Sequence, residues 1–266
     1  MRVAIDHRTR YRFTEPQARV IQLLRLTPLD SIDQTVVNWH IGVDCDARLR
    51  EARDGFGNRV TMLYCEGPLD SIEIAVEGEV LTAGEAGVVR GTVEPLPPEV
   101  YVRATDRTGV SRAMREFAGE GGDDRLARLH QINLALHHRF SCVEEHHDRG
   151  LTAEQAFAHD AVSPRDLAHM LVALARSEAI PARYVTGYLA GDEGAHAPHA
   201  WVEAHVDGLG WVAFDPCRGI SADERHVRVA VALDAAGAAP VAGMRIGDGD
   251  ERLDVEVQAE AMGAGE

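Results

Sequence analysis

The sequence predicts an α+β fold, with an antiparallel β-domain followed by a core of helices and strands. Residues 1–82 alternate apolar and polar side chains with the period of half-buried strands, and turn signals interrupt them. A segment rich in glycine and proline follows over residues 84–98 and predicts a linker. Beyond it, one well-marked helix that starts near Ser163 leads into three strands that end at Asp215. We therefore expect a β-sandwich-like domain over residues 1–90 and a second domain over residues 91–266.

The first domain contains five segments of strand character. Their shared signal is alternation, or a dense run of apolar residues, bounded by turn residues: 3–13, 20–26, 37–45, 60–65 and 72–80. A glycine-rich turn over residues 54–58 separates the third segment from the fourth. Short strands separated by such turns are typical of an antiparallel sandwich.

Helical spacing begins after the linker. Apolar residues mark a short helix over residues 110–117 and a longer one over residues 129–140, which Asp123 or Asp124 begins. Residues 154–158 fit one further helical turn.

The central helix has the clearest start in the chain. Ser163 is a favourable N-cap, Pro164 suits the first helical position, and Asp166 completes a capping box. A stripe of apolar residues follows at helical spacing, and Pro181 ends the pattern. The sequence therefore predicts a helix between Ser163 and Pro181.

Strands follow this helix to the end of the chain. The predicted segments are residues 184–189, 200–206, 211–214, 227–233 and 253–257, and a turn at residues 207–210 joins the second to the third. On the second of these strands, His199, Trp201 and Glu203 face the side opposite Ala200 and Val202. We expect one or two of the C-terminal strands to close the sheet of the second domain, and we expect residues 259–266 to fray.

Composition limits the classes of partner. The net charge is -16, from 27 Lys and Arg against 43 Asp and Glu, which argues against nucleic acid and anionic membranes as partners. Residues 1–13 lack an apolar signal core, and no stretch is long enough to span a bilayer, so we expect a cytoplasmic protein. The cysteines Cys45, Cys65, Cys142 and Cys217 have no CxxC spacing, and we expect free thiols rather than disulfides.

A helix start that faces a strand-borne histidine and aspartate suits thiol chemistry. The helix dipole and an imidazolium lower the pKa of a thiol, and the carboxylate fixes the tautomer of the imidazole. His199 and Asp215 are of the required types at the required places. Taken singly, His199 could also be a polar residue at a strand end, and Asp215 could open a turn before Pro216.

Taken together, five motifs resemble the bacterial transglutaminase-like proteins in their two-domain form. The motifs are RDLAH (165–169), IPARYVTGY (180–188), HAWVE (199–203), GLGWVAFDP (208–216) and DERHVRVAV (223–231). The resemblance implies a β-rich N-terminal domain followed by a papain-like transglutaminase core. It implies that His199 is the catalytic histidine and that Asp215 is its orienting acid. The nucleophilic cysteine of the family precedes the residue matched by Arg165, a position that Pro164 occupies here.

The resemblance therefore implies a protein that has lost cysteine catalysis. Its cleft would bind a peptide, a protein or a partner subunit, or it would serve as a structural subunit of a larger assembly. The alternative is an active amide hydrolase or acyltransferase that uses Ser163, or a displaced cysteine such as Cys217, with His199 and Asp215. Ser163 lies one residue before the matched position, and its capping role competes with catalysis.

Neither a metal nor a cofactor is predicted. Residues 137–148 hold four histidines, Cys142 and three acidic residues, but they lack a metal-ligand spacing, and a solvated connection is the simpler interpretation. No glycine-rich phosphate loop or dinucleotide fingerprint is present.

Overall fold

Two antiparallel sheets and the helices beside the second sheet make up the fold. A computed structural model of the chain describes residues 1–84, 87–122, 124–143, 150–191 and 198–262. One sheet has six strands and the other has five, and a parallel pair of two-residue strands completes the β-structure of the described ranges. None of the helices in these ranges is long and apolar enough to cross a membrane.

The first sheet is built on two very long strands. Its N-terminal members are β1 (Arg2–Leu24), β2 (Gln34–Val43), β3 (Ala47–Arg53) and β4 (Arg59–Thr82). β1 and β4 pair along almost their whole length, with register shifts between Arg12 and Arg19. β2 pairs with the second half of β4, and β3 pairs with the first half. Two continuous strands therefore replace four predicted segments. Segments 3–13 and 20–26 belong to β1, and segments 60–65 and 72–80 belong to β4. Where turns were expected, the pairing of β1 with β4 is irregular but continues.

The two halves of this sheet share one core. Buried residues of both halves form a single cluster: Tyr11, Val20, Leu24, Leu26, Leu63, Cys65, Leu69, Ile72, Ile74 and Val76. Burial alternates along β1, where Val3 and Ile5 are buried and their neighbours are partly exposed. The predicted alternation thus packs one face of the sheet, as it would in a sandwich.

The second part of the chain alternates helices and strands. Its helices are α1 (Arg112–Ala118), α2 (Arg125–Arg139), α3 (Ala153–Ala156) and α4 (Pro164–Ser177), preceded by a 3-10 turn at Pro98–Val102. Its strands are β5 (Ser141–Cys142), β6 (Ala161–Val162), β7 (Ala182–Leu189), β8 (His199–Val206), β9 (Gly210–Asp215), β10 (Ile220–Ser221) and β11 (His226–Ala232). The sheet order is β10-β9-β8-β7-β11. Asp124 caps α2 through its side chain.

The helix α4 is the centre of the second core. Ser163 Oγ accepts from the Asp166 N–H at 3.2 Å, and the Ser163 N–H donates to the Asp166 carboxylate at 3.1 Å, so the capping box is present. Every residue of α4 from Asp166 to Arg176 is buried. Its apolar side chains form one cluster with residues of β7, β8 and β9. The helix ends at Ser177, before Pro181.

The C-terminal strands correct one expectation. β12 (Val241–Ile246) and β13 (Glu251–Met262) pair with β1 of the first sheet, and do not close the sheet of the second domain. β11 does close one side of that sheet, as expected of one such strand, and the short β10 forms its other side. Residues 259–262 are ordered strand, because Val257 and Ala259 pack against Val3 and Ile5. Alternation predicts that a strand exists but does not identify its partner.

A buried ionic network ties three strands together. Glu203 of β8 accepts from Arg183 of β7 at 2.6 Å and from Arg228 of β11 at 2.7 Å. Glu203 and Arg183 are both 0% exposed. Burial by itself raises the pKa of Glu203, but the Arg228 and Arg183 guanidinium groups outweigh it and bring the pKa to about 2. The carboxylate therefore stays ionised between the buried cation of Arg183 and the half-buried cation of Arg228.

The same network reaches outside the second sheet. Arg183 also donates to Glu94 in the predicted linker at 2.9 Å, and its guanidinium lies 3.9 Å from the ring centre of Trp211. The backbone of Arg228 exchanges two hydrogen bonds with the Gln34 side chain, at 2.8 and 3.0 Å. The network thus connects the linker and the first sheet to β7, β8 and β11. The boundary between residues 90 and 91 stays a prediction.

We expect Glu203→Gln to lower the free energy of unfolding by about 3–5 kcal/mol, because it removes the buried carboxylate that Arg183 and Arg228 share, and leaves Arg183 with Glu94 as its remaining acidic partner. Since the folded pKa of Glu203 lies below the ordinary value of about 4.5, its stabilising contribution is complete above that pH and declines as the pH falls toward 2. Urea unfolding of both proteins across this range measures the effect. Glu73→Gln is the control: Glu73 also pairs with two arginines, but it is partly exposed, and we expect a loss of about 1 kcal/mol or less. Equal losses for the two variants would contradict the role of burial.

Loss of the cap should also be measurable. We expect Ser163→Ala to destabilise the protein by about 1 kcal/mol, because two hydrogen bonds at the start of α4 lose their hydroxyl. Ser177→Ala at the other end of α4 is the control, since Ser177 only donates to the Leu174 carbonyl. An unchanged urea midpoint for Ser163→Ala would show that the capping box is not needed.

Candidate functional site

Three strands of the second sheet bring polar side chains together where the strands begin or end, at one end of the sheet. His199 opens β8, Asp215 ends β9, and His226 opens β11. His199 Nε2 lies 2.8 Å from Asp215 Oδ2, and His226 Nε2 lies 3.1 Å from the same oxygen. Asp215 is 0% exposed, and the two histidines are also buried. The structure therefore brings together the two residues that the sequence predicted, and adds a third.

The carboxylate of Asp215 is held from both sides. Its Oδ1 accepts from the backbone N–H groups of Cys217 at 3.0 Å and Arg218 at 3.3 Å. Burial by itself raises the pKa of Asp215, but His199 and His226 outweigh this effect and hold the pKa well below its usual range. Because an ionised carboxylate only accepts hydrogen bonds, it favours a proton on Nε2 of each histidine. In that tautomer, Nδ1 of His199 carries the lone pair that could act as a base.

His226 was missed as a site residue. It belongs to the DERHVRVAV segment, which contributed only to the family resemblance. Its Nδ1 lies 3.0 Å from Asp223 Oδ1, so two carboxylates flank one imidazole. The sequence around His226 contains no signal that would place it beside Asp215. Its strand β11 pairs with β7, and both β7 and β8 lie between it and β9, the strand that carries Asp215.

A glycine permits this convergence across β7. Gly187 is the register partner of both His199 on β8 and Arg228 on β11. A Cβ at residue 187 would lie 2.1 Å from the Val227 carbonyl oxygen and 2.5 Å from the Trp201 ring. Trp201 therefore occupies the space over Gly187, where it stacks on His199 with ring centres 6.2 Å apart. Its indole forms one wall of the site.

A cleft runs from the start of α4 to the residue before His199, and the helix start offers no nucleophile to it. A cleft of about 310 Å³ is lined by Arg165 at the helix start, by Thr186 and by Pro198, which precedes His199. The Ser163 hydroxyl donates to Asp166 Oδ2 at 2.8 Å and accepts from the Asp166 N–H. Within the described part of the chain it has no hydrogen bond to His199 or Asp215. Pro164 has neither a hydroxyl nor a thiol.

The cysteines correct a second expectation. Cys142 and Cys217 form a disulfide, although free thiols were predicted. The two residues are 75 positions apart in the chain, and the pairing of β5 and the turn after β9 could not be deduced from spacing. Neither sulfur is therefore available as a displaced nucleophile while the bond is intact. The disulfide also ties down the turn whose amides hold Asp215.

The other two cysteines lie in the first sheet. Cys45 and Cys65 are free, and their sulfurs are 2.6 Å apart. Burial and the hydrogen bond to Cys65 raise the pKa of Cys45 to about 12, so it is protonated and unreactive near neutral pH. None of the four cysteines stands at the start of α4.

The histidine-rich segment is only partly described. His137 Nδ1 lies 3.0 Å from the carbonyl oxygen of Cys217, next to the disulfide. Residues Glu144 to Asp148, which carried most of the possible metal ligands of that segment, lie outside the described residues.

Fold and site together define a papain-like core joined to a β-rich domain. Two family models match the chain: the bacterial transglutaminase-like N-terminal region over residues 3–81, and the transglutaminase-like superfamily over residues 113–216. The chain belongs to the transglutaminase-like superfamily, in the bacterial form that carries this N-terminal region.

Individual relatives extend the likeness over the whole chain. An uncharacterized protein of Mycobacterium leprae is 26% identical over 276 residues, covering 97% of this chain and 98% of its own. An uncharacterized protein of Mycobacterium tuberculosis is 23% identical and covers 91% of this chain and 87% of its own. The crystal structure of a candidate cysteine protease from Cytophaga hutchinsonii has a TM-score of 0.78 at 20% identity, covering 100% of this chain and 92% of that one. The predicted fold class is confirmed.

Proposed function

We propose that this protein is a transglutaminase-like protein without cysteine catalysis, whose cleft binds an extended segment of a peptide or protein partner. The observation that carries the proposal is Pro164. It occupies the first position of α4, where the family resemblance places the nucleophilic cysteine. Proline has no group that can form an acyl-enzyme.

The remaining candidates for a nucleophile are occupied. Cysteine-dependent acyl transfer needs a thiolate beside an imidazole, with the imidazole oriented by a third group. His199 and Asp215 supply the second and third parts. Ser163 is engaged by Asp166 on both its donor and its acceptor sides, and Cys142 and Cys217 are bonded to each other. The similar structure from Cytophaga hutchinsonii is named for cysteine protease chemistry, which this chain lacks a thiol to perform at the helix start.

A cleft can bind a peptide or protein segment without a nucleophile. The cleft beside His199 is lined by polar and apolar groups, including Arg165, Thr186 and Pro198, and its size of about 310 Å³ suits a few residues of a peptide. The partner can be a free peptide, a protein or a subunit of the same assembly. Purification from the native cell, followed by identification of what remains attached, distinguishes these cases.

The cellular compartment of the protein is also part of this proposal. The sequence favours the cytoplasm, but the Cys142–Cys217 disulfide favours an oxidising compartment, since the cytoplasm keeps most thiols reduced. Thiol labelling of protein taken directly from the native cell measures the state of this pair. Quantitative labelling of both cysteines would support the cytoplasm.

Restoring the thiol tests the loss of catalysis. We expect the natural protein to show no alkylation-sensitive turnover of glutamine-donor or peptide amide substrates. We expect Pro164→Cys to exceed Pro164→Ala by about 10²-fold or more, the low end of what a positioned base contributes. His199→Gln in the Pro164→Cys background should abolish the gain. Turnover by the natural protein that alkylation abolishes, or that Ser163→Ala removes, would restore the alternative of an active amide hydrolase or acyltransferase.

Filling the cleft tests the binding. We expect fluorescent peptides from a random extended library to include binders of the natural protein, and Thr186→Phe to weaken them about tenfold or more, a loss of about 1.4 kcal/mol. Thr35→Phe on β2 is the control, because Thr35 is an exposed strand residue of the first sheet. Equal affinity in Thr186→Phe and the natural protein would place the peptide elsewhere.

A further inference from the structure

Three buried side chains meet at one end of the second sheet, and the proposed function gives no role to one of them, His226. We infer that His199, Asp215 and His226 bind a divalent transition-metal ion of the zinc type. One ligand atom from each residue lies within 4.8 Å of the others, and all three residues are buried.

The donor set is the first support. Two imidazole nitrogens and one carboxylate oxygen are ligands that Zn²⁺ takes in proteins, and three such ligands leave a fourth position open. In a tetrahedral site with bonds of about 2.0–2.1 Å, neighbouring ligand atoms are about 3.3 Å apart. The Nε2 atoms of His199 and His226 are already 2.8 and 3.1 Å from Asp215 Oδ2. All three ligand atoms lie within 4.8 Å of one another, so adjustments of the side chains, without a change of strand pairing, would bring them to that spacing.

The surroundings of the ligands are the second support. Histidines that hold a metal usually donate their other ring N–H to a carboxylate or carbonyl, and ligating carboxylates are themselves hydrogen-bonded. Asp223 Oδ1 lies 3.0 Å from the remaining nitrogen of His226. The amides of Cys217 and Arg218 occupy Asp215 Oδ1 and leave Oδ2 to face the two rings. Asp223 also donates its N–H to Nδ1 of His226, so either tautomer finds a partner.

Space beside the cluster is the third support. His226, Asp223 and Trp201 line a cavity of about 70 Å³ between the two sheets. A water in the liquid occupies about 30 Å³, so the cavity has room for a water beside His226, one of the three ligands. A catalytic triad needs only one imidazole on its acid, and His199 supplies it. The second imidazole on Asp215, that of His226, has no role in acyl transfer.

Zinc titration of the tag-free, chelator-stripped protein is the direct test. We expect one equivalent of Zn²⁺ with a Kd in the micromolar range or tighter, measured by calorimetry and by metal analysis. His226→Gln keeps a side-chain donor for Asp215 but removes the imidazole, and we expect it to weaken binding about 10²-fold or more. Asp223→Asn should weaken it by about 10–100-fold through the second imidazole nitrogen. His205→Gln, on the same strand but outside the cluster, should bind as the natural protein does.

Two outcomes would overturn the inference. The first is the absence of stoichiometric binding by the natural protein, which would leave His226 as a hydrogen-bond donor to Asp215 only. The second is binding that survives His226→Gln and is lost in His146→Ala/His147→Ala, which would assign the ion to the histidine-rich segment. X-ray absorption of the zinc-loaded natural protein needs no variant: two imidazoles and no sulfur are expected, and a sulfur ligand would contradict the site. The result is independent of the Pro164→Cys assay.

Discussion

The position of one buried carboxylate determines how the second sheet and its surroundings fit together. Glu203 lies between the guanidinium groups of Arg183 and Arg228, and so links β8 to β7 and to β11. An ion pair of this kind is stable only when every partner is in place, because each charge has been removed from water. The strands that it holds also carry His199 and His226. The separation of the two imidazoles therefore depends on an interaction four residues further along β8.

The site repeats this arrangement of one carboxylate between two basic side chains. Asp215 is a single carboxylate between two imidazoles, with two backbone amides on its other oxygen. Both networks are fully hydrogen-bonded at their centres, which is the condition for a buried polar group to be tolerated. The start of α4 differs, because Ser163, Pro164 and Asp166 are what helix stability alone would favour. The helix start thus has the residues of a stable cap, beside an intact pair of His199 and Asp215.

Local features of the fold could be predicted, and long-range pairings could not. The capping box of α4 spans four consecutive residues, and the alternation of β8 follows from the side-chain period of a strand. His199 and Asp215 were identified through motifs on adjacent strands. His226 was not, because its strand joins the far edge of the sheet. The disulfide and the partner of β13 share this property: each joins segments whose sequences contain no information about the distance between them in space.

The placement of β13 beside β1 affects the order in which the protein can be assembled on the ribosome. β4 covers one edge of β1 early in synthesis, but β12 and β13, which cover the other edge, are made last. Until then a long strand presents unpaired N–H and C=O groups, which is a template for pairing with other chains. Arginines at residues 2, 8, 10, 12 and 19 project from this strand. Arg2, Arg10 and Arg19 pair with carboxylates of β4, so these ion pairs can form before β12 and β13 cover the other edge of β1.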